Sequence, residues 1–280
     1  MTVAVYANKG GVGKTSTTVN LAAILGHSEK KKVLVIDFDP NQRDLTHSVK
    51  MTPSEDGLFT VLTDRKADLR AAIQPYTIAH KGKEHYFFDV LPADKQLTQM
   101  GDAQLRKLLK MDRLKQKLAP VLSEYDYILI DCSPNWTIFS QLAMVAADVV
   151  LTPVGFNNFS ALRNVMVTAT EYIPEAQKHC GDGSPVQLPI FFNGGKLTDK
   201  SKNMVNDAIE EILKDAAIAG FDLREIFFPK STNAMKRHDI FEIPNYANVA
   251  GAVFTGIPAA YQYRPANEYY RSLAKEYFLA

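Results

Sequence analysis

Cysteine is scarce in this sequence: Cys132 and Cys180 are its two thiols in 280 residues. Two cysteines so far apart offer neither the paired spacing of a zinc or iron–sulfur site nor a disulfide framework, and they are typical of a reducing compartment. An excess of one charge is lacking too, because 32 lysines and arginines are balanced by 31 acidic residues, for a net charge of +1. Any binding of nucleic acid must therefore depend on a local patch.

Long hydrophobic runs are also missing. The least charged stretch, residues 132–147, contains Pro134, Asn135, Ser140 and Gln141, and it is too short and too polar to cross a bilayer. The N-terminus has neither a basic segment nor a long apolar segment of the kind that a signal peptide needs. We therefore expect no signal peptide and a cytoplasmic protein.

Short, nearly continuous apolar runs recur along the chain, and helix-like segments separate them. The strand candidates are Val3–Ala7, Val33–Ile36, Tyr86–Leu91, Ile128–Ile130, Val149–Val154 and Leu188–Phe192. Such runs are typical of strands buried on both faces of a parallel sheet, so the pattern predicts an α/β fold, a doubly wound, mostly parallel sheet flanked by helices. We expect residues 51–85 to form short helices near the sheet edge. Without a linker or an internal repeat, residues 1–280 are predicted to form a single domain.

Chemically suggestive side chains follow four of the predicted strands. They lie in residues 8–10, 37–39 and 131–133 and at Asn193. Because ligands of open parallel sheets bind at the carboxyl ends of the strands, we expect these groups to meet in one site.

Residues 8–15 read N-K-G-G-V-G-K-T and carry the second half of the phosphate-loop pattern G-x-x-x-x-G-K-[ST]. The glycines let backbone N–H groups approach phosphate oxygens, and the following helix adds its positive end. Lys14 is predicted to lie between the β- and γ-phosphates, and the Thr15 hydroxyl to ligate Mg²⁺. A dinucleotide-binding loop is excluded because Ser16 stands where G-x-G-x-x-G needs a glycine. The first glycine of the phosphate-loop pattern is replaced by Asn8, and an additional lysine, Lys9, follows it.

Residues 9–15 resemble the deviant Walker A motif of the ParA/MinD family of P-loop ATPases, and most closely its ParA (Soj-like) partition branch. Residues 37–40, D-F-D-P, resemble the second motif of that family, and residues 127–131 resemble its Walker B strand. Later segments at 133–134, 152–154 and 228–244 match weaker family patterns, so the resemblance spans most of the chain.

The resemblance implies a P-loop NTPase fold with ATP and Mg²⁺ as ligands and weak intrinsic ATP hydrolysis. It further implies an ATP-dependent sandwich homodimer that binds DNA nonspecifically and drives partition or positioning of a plasmid, chromosome or other cargo. A cargo- or centromere-bound protein would stimulate hydrolysis, and the ATP-bound protein would be associated with the nucleoid.

In that family the first lysine, here Lys9, reaches across the dimer to the phosphates bound by the other subunit. A positive charge given in trans acts as an arginine finger does, and it makes ATP part of the interface. The alternative is that Lys9 is a solvated loop residue or contacts its own nucleotide.

The acidic residues are assigned by the same resemblance and by their place at strand ends. A carboxylate at Asp131 would be costly to bury unless it faces a cation, which indicates Mg²⁺ binding through water. Asp39 is predicted to orient the attacking water, with Asp37 nearer the metal; the alternative for each is that it caps the following turn or helix. After Pro40 the sequence departs from the family with the run N-Q-R-D at 41–44, which puts the expected switch geometry in doubt.

Two further residues are expected near the base. Asn193 resembles the family asparagine that reads the adenine edge, and the backbone near Pro229 would close over the base; alternatively, Asn193 is only a turn residue. The remaining predicted nucleotide contacts are Gly10, Gly11, Val12, Gly13, Lys14, Thr15 and Ser16.

Two basic clusters are candidates for DNA contact, although each could be an ordinary solvated face. One is Lys230, Lys236 and Arg237, in the region where the DNA-contacting residues of the family tend to lie. The other is a helix-like segment at 106–117, whose flanking leucines 105, 108, 114 and 118 are expected to face the core. No helix-turn-helix precedes the phosphate loop, so operator-specific binding is not expected.

Two other functions of related ATPases have weaker support in the sequence. A MinD-like membrane-associated ATPase needs a basic amphipathic C-terminal helix, but the cations at 267–280 are offset by acidic residues, so we expect this helix to dock on the domain and no membrane partner. An iron–sulfur or reductase member would need paired cysteines, which are absent from the sequence.

Overall fold

A computed structural model of the chain describes residues 1–54, 57–80, 82–155, 159–195, 198–228 and 240–279. The strands are β1 Thr2–Val5, β2 Val33–Phe38, β3 Gln74–His80, β4 Lys83–Leu91, β5 Tyr127–Cys132, β6 Val149–Leu151, β7 Pro153–Gly155, β8 Val186–Gln187, β9 Phe191–Asn193 and β10 Phe241–Ile243. The α-helices are α1 Lys14–Ala23, α2 Asp44–Ser48, α3 Leu58–Thr63, α4 Asp102–Leu108, α5 Arg113–Leu118, α6 Ile138–Ala146, α7 Phe159–Val167, α8 Ile173–Gln177, α9 Asp199–Ile218, α10 Arg224–Phe227, α11 Ala247–Thr255, α12 Ala259–Gln262 and α13 Arg264–Tyr277.

Seven strands form the main sheet in the order β3-β4-β2-β5-β1-β6-β8. All neighbouring pairs are parallel except β3 with β4. The order reverses direction on either side of β1, so helices cover both faces of the sheet. The predicted doubly wound, mostly parallel α/β fold is confirmed.

The two faces of β2 show why these strands read as unbroken apolar runs. Leu34 and Ile36 pack with α3, α5 and α6 on one face, whereas Val33 and Val35 pack with α1 and α13 on the other. Both faces are therefore buried, and the positions that precede Asp37 at the carboxyl end of the strand are all apolar.

The prediction for residues 51–85 was incomplete. Helix α3 and a 3₁₀ turn at Leu69–Ala72 do lie there, but they are followed by β3, an antiparallel strand at the sheet edge. Its Tyr76 and Ile78 are buried, while Pro75 and Thr77, which alternate with them, are exposed. This alternation of an edge strand, with proline tolerated, differs from the continuous runs of the central strands.

A second sheet was not predicted. It has three parallel strands in the order β10-β9-β7, and it packs with α7 and α9 around a separate core that includes Val154, Phe192 and Ile209. The expected strand Val149–Val154 is divided between the two sheets as β6 and β7, whereas only Phe191 and Phe192 of the expected strand Leu188–Phe192 lie in a strand, β9 of the small sheet. Pro153 is the first residue of β7 and Pro189 lies between β8 and β9, and neither has an N–H to donate to a ladder.

The predicted helix at 106–117 is two helices, α4 and α5, with a break after Leu108. The break changes which residues face inward: Leu105, Leu114 and Leu118 are buried as expected, but Leu108 is 44% exposed and Leu109 is buried in its place. The expectation for Leu108 was therefore wrong.

The C-terminal helix docks on the domain as predicted. Tyr270, Leu273 and Ala274 of α13 are buried in the core that also contains Leu21 of α1. Among the described residues, no helix combines the length and the apolarity needed to cross a membrane.

Gly26 provides a test of the packing between α1 and the sheet. It lies in a π-helical turn, Ile24–Ser28, that continues α1, and a Cβ built on it would lie 1.9 Å from the carbonyl oxygen of Phe87 in β4. We expect Gly26→Ala to lower the free energy of unfolding by about 1–3 kcal/mol, because the strand or the helix must move. Urea denaturation measures this.

Gly251→Ala is the matched control, since Gly251 is also helical but a Cβ there would meet no atom within 4 Å. It should leave stability unchanged or raise it slightly, because alanine favours helix over glycine. Equal denaturation midpoints for the two variants would contradict the close approach at Gly26.

Candidate nucleotide-binding site

The phosphate loop joins β1 to α1, and its backbone depends on glycine. Gly11 and Gly13 have φ angles of 75° and 88°, in the left-handed region that side chains disfavour. Gly13 has a second constraint, because a Cβ there would lie 2.1 Å from Nδ2 of Asn193. The loop ends where α1 begins at Lys14, so the N-terminus of this helix faces the loop.

Lys14 lies inside the loop rather than in solvent. Its Nζ donates to the carbonyl oxygen of Lys9 at 3.2 Å, and the residue is 8% exposed. Burial lowers the pKa of Lys14, although the nearby carboxylates of Asp131 and Asp39 oppose that shift. A buried ammonium that lies within the loop is suited to binding phosphate oxygens.

Thr15 and Asp131 come together at the end of β5. The Thr15 hydroxyl donates to Oδ2 of Asp131 at 2.7 Å, and the Thr18 hydroxyl approaches Oδ1 at 3.5 Å. Burial, reinforced by repulsion from Asp37, raises the pKa of Asp131 to about 8. A buried carboxylate that ionises with such difficulty is stabilised by a cation, and its oxygens together with the hydroxyl of Thr15 are ligands that fit Mg²⁺.

Asp37 occupies the equivalent position on the neighbouring strand, where β2 pairs it with Asp131. Its Oδ2 accepts from the backbone N–H of Thr46 at 2.8 Å and from the hydroxyl of Thr46 at 2.6 Å, and its Oδ1 accepts from the N–H of Asp39 at 3.2 Å. Burial raises the pKa of Asp37 to about 6. These contacts attach α2 to the end of β2, and the metal-binding role of Asp37 stays a prediction.

Asp39 begins the turn that replaces the expected family sequence. Its Oδ1 accepts from the N–H groups of Asn41 and Gln42 at 3.2 and 3.3 Å, and Arg43 follows with a left-handed φ of 53°. The residue is 7% exposed, and burial raises the pKa of its carboxyl, whereas the charge of Lys14 opposes that shift. In the described part of the chain, both hydrogen bonds donated to this carboxylate end on Oδ1.

The two remaining predicted nucleotide contacts have different outcomes. Asn193, at the end of β9, donates from Nδ2 to the carbonyl oxygen of Val12 at 3.0 Å, so it lies against the phosphate loop. Its base-reading role stays a prediction. Pro229 lies outside the described residues.

Lys9 is exposed beside this cluster. The structure thus brings together Lys14, Thr15, Asp39 and Asp131 at the carboxyl edge of the sheet, as predicted from the strand ends. Val12 is buried and Ser16 is half-buried in the same loop and helix start. Sequence reasoning missed Thr46, whose signal was only its place in the first turn of a short helix after the aspartates.

The basic clusters proposed for DNA have less support. Lys230, Lys236 and Arg237 lie outside the described residues. In the segment at 106–117, Arg106 pairs with Asp102 at 2.6 Å and Lys117 is 8% exposed, with Nζ donating to two backbone carbonyls. Several of its cations are therefore committed to local structure.

Comparisons with known proteins agree with this geometry. The family model described as "AAA domain" matches residues 1–179. The sporulation initiation inhibitor protein Soj of Bacillus subtilis is 35% identical over 218 residues, which cover 76% of this chain and 78% of Soj. An uncharacterized protein of Pseudomonas putida is 38% identical over 152 residues, so the chain matches only about half, 54%, of that curated relative.

Solved structures share the fold at lower identity. A Cyanothece McdA–ATP complex superposes with a TM-score of 0.69 at 20% identity, covering 100% of this chain and 98% of that one. The septum site-determining protein MinD of Pyrococcus horikoshii, solved with Mg-ADP, gives a TM-score of 0.65 at 19% identity and covers 98% and 95% of the two chains. With the family model over its first 179 residues and the match to Soj over three quarters of its length, this chain belongs to the ParA/MinD family of P-loop ATPases.

Proposed function

We propose that this protein is a Mg²⁺-dependent ATPase that dimerises in the ATP state, binds DNA nonspecifically and positions a cargo. The observation that carries the proposal is the convergence of Lys14, the Thr15–Asp131 pair and Asp39 at one edge of the sheet, with Lys9 exposed beside them. The relatives named Soj and ParA support a partition or positioning role.

The residues of the loop divide the binding of MgATP among them. Backbone N–H groups of 10–15 and the Lys14 ammonium hold the phosphates, while Thr15 and Asp131 hold the metal. When bound, Mg²⁺ would neutralise the phosphate oxygens of ATP, whose terminal phosphoryl group is the one that water attacks. Ionised Asp131 is favoured once a cation lies next to it, which offsets the raised pKa of that carboxyl.

Asp39 orients the attacking water in this proposal. Its Oδ1 accepts from the backbone N–H groups of Asn41 and Gln42, which fixes the orientation of the carboxylate, and its charge interacts with that of Lys14 in the loop. Its raised pKa, caused by burial, makes it a better proton acceptor than an exposed aspartate.

Lys9 completes the site of the second subunit. Lys9 is exposed, whereas Lys14 is buried in the same loop, so the Lys9 side chain is available to reach phosphates that another copy binds. Nucleotide binding and dimer assembly are thereby linked, because ATP stabilises the dimer only until it is hydrolysed.

Replacing Lys9 by alanine tests the role in trans. Lys9→Ala should keep ATP affinity but lose hydrolysis by on the order of 10³–10⁵-fold, the effect of removing a finger charge, and lose ATP-dependent dimerisation. Phosphate release, calorimetry and size-exclusion chromatography measure the three properties.

Two controls frame this experiment. Lys32→Ala removes an exposed lysine at the opposite end of β2 and should behave as wild type, whereas Lys14→Ala should abolish ATP binding itself. Wild-type turnover of Lys9→Ala would refute the role in trans.

Asp39 is tested by two substitutions that differ in what they keep. Asp39→Asn retains an oxygen that can accept from Asn41 and Gln42, whereas Asp39→Ala removes the acceptor as well. Both should bind MgATP and accumulate as dimers, with hydrolysis slowed by on the order of 10²–10⁴-fold, because each removes the carboxylate charge.

Single-turnover hydrolysis and light scattering provide the readout. If only Asp39→Ala were slow, the residue would serve to shape the turn and not to orient water. If neither were slow, the catalytic role would pass to another carboxylate, with Asp37 the next candidate.

DNA binding should depend on ATP and fall steeply with salt, because dimerisation doubles the number of phosphate contacts. Lys236→Glu with Arg237→Glu should weaken binding uniformly across sequences and flatten the salt dependence, while ATP binding stays intact. Fluorescence anisotropy with unrelated duplexes at several salt concentrations measures both effects.

The matched control reverses two exposed charges that precede β2, Lys31→Glu with Lys32→Glu, at the opposite edge of the sheet from the loop. Undiminished binding by the Lys236/Arg237 variant would redirect attention to the cations at 106–117. Wild-type protein that with MgATP binds vesicles of anionic lipid, but no DNA at low salt, would favour the MinD-like alternative.

A further inference from the structure

Asn8, the residue immediately before Lys9, is held from both ends. Its side-chain Nδ2 donates to the hydroxyl of Tyr172 at 3.2 Å, and its backbone carbonyl accepts from Nδ2 of Asn164 at 2.6 Å. That carbonyl belongs to the peptide that joins Asn8 to Lys9. The orientation of this peptide sets the direction in which the backbone, and with it the Lys9 side chain, leaves the loop.

Both partners of Asn8 come from one continuous helical segment. Asn164 lies in α7, and Tyr172 ends the π-helical turn Thr168–Tyr172 that continues it. In a regular α-helix, residues eight apart are rotated by about 80° around the axis, so they would face different directions. The wider π turn reduces this offset and lets both side chains reach one residue. Such turns are frequent at functional sites.

The ring of Tyr172 is itself fixed. It stacks on the ring of Trp136 with centroids 4.1 Å apart and an interplanar angle of 7°, and Nε1 of Trp136 donates to Glu175 at 3.3 Å. Trp136 follows β5, the strand whose last two residues are Asp131, a proposed metal ligand, and Cys132. The Tyr172 hydroxyl, which accepts from Asn8, is therefore positioned by Trp136, in the segment that follows β5.

We propose that Asn164 and Tyr172 are positioning residues that act through Asn8 to aim Lys9 out of its own nucleotide site and toward that of a second copy. The inference rests on the proposed function of Lys9 in trans. It also explains why asparagine replaces the first glycine of the phosphate-loop pattern: the Asn8 side chain donates a hydrogen bond to Tyr172, which a glycine could not do. The contacts proposed for Lys14 and Thr15 with phosphate and metal are made by side chains that Asn8, Asn164 and Tyr172 do not contact.

The test uses variants that each remove one hydrogen bond from the full chain. Tyr172→Phe keeps the ring and deletes the hydroxyl, Asn8→Ala deletes the donor to that hydroxyl, and Asn164→Ala frees the carbonyl of Asn8. Each should lower kcat for ATP by about three- to tenfold, the effect of one side-chain hydrogen bond. The KM for ATP should stay within about twofold, because binding by the loop is unchanged.

The double variant Asn8→Ala/Tyr172→Phe provides a readout that general destabilisation would not. It should be no slower than the slower single variant, because both changes remove the same bond. Tyr125→Phe is the matched control: it also loses a tyrosine hydrogen bond, to Asp89 at 2.8 Å, but far from the loop, and its kcat should match wild type.

Trp136 is the only tryptophan, so its emission reports the stack directly. Emission of Tyr172→Phe should match wild type; a rate loss accompanied by altered emission would assign Tyr172 to packing and overturn the proposal. Wild-type kcat in Tyr172→Phe and Asn8→Ala would overturn it as well, provided that Lys9→Ala loses turnover. If Lys9→Ala itself keeps turnover, the role of Lys9 in trans is refuted. This outcome differs from the one that refutes only the positioning role of Asn164 and Tyr172.

Discussion

The rest of the site depends on one electrostatic constraint: two carboxylates, Asp37 and Asp131, are buried opposite each other at the ends of adjacent parallel strands. Burial disfavours the charged form of each and is the main reason why both pKa values are raised; repulsion from Asp39 adds to the shift of Asp37, and repulsion from Asp37 adds to that of Asp131. Such a pair persists in a fold only when other groups stabilise the charges. The elements around the strand ends supply those groups.

The two carboxylates are stabilised in different ways, and this separates their roles. Asp37 receives a backbone N–H and a hydroxyl from Thr46, so its charge serves to anchor α2 and to shape the turn that carries Asp39. Asp131 is contacted by the hydroxyls of Thr15 and Thr18, with the ammonium of Lys14 in the same loop. The first arrangement builds structure, whereas the second is the one suited to a divalent cation.

The loop that faces these carboxylates is held by residues that are distant from it in sequence. Asn193, from the small sheet, contacts the carbonyl of Val12, while Asn164 and Tyr172 hold Asn8. The small sheet and the segment from α7 to Tyr172 thus contribute directly to the geometry of the nucleotide site.

The sequence by itself determined the phosphate loop, the central strands and the shared edge at which Lys14, Asp39 and Asp131 meet. These follow from local pattern, because unbroken apolar runs mark strands buried on both faces and parallel strands end at the same edge. Only the tertiary structure decided that 149–154 is divided between two sheets, that β9 belongs to the smaller one, and that β3 covers an edge. It alone decided that Thr46 donates to the carboxylate of Asp37. It also decided that Asn193 and Asn164 grip the loop from 181 and 156 residues away. Contacts at such separations arise from how the elements pack, which no local periodicity specifies.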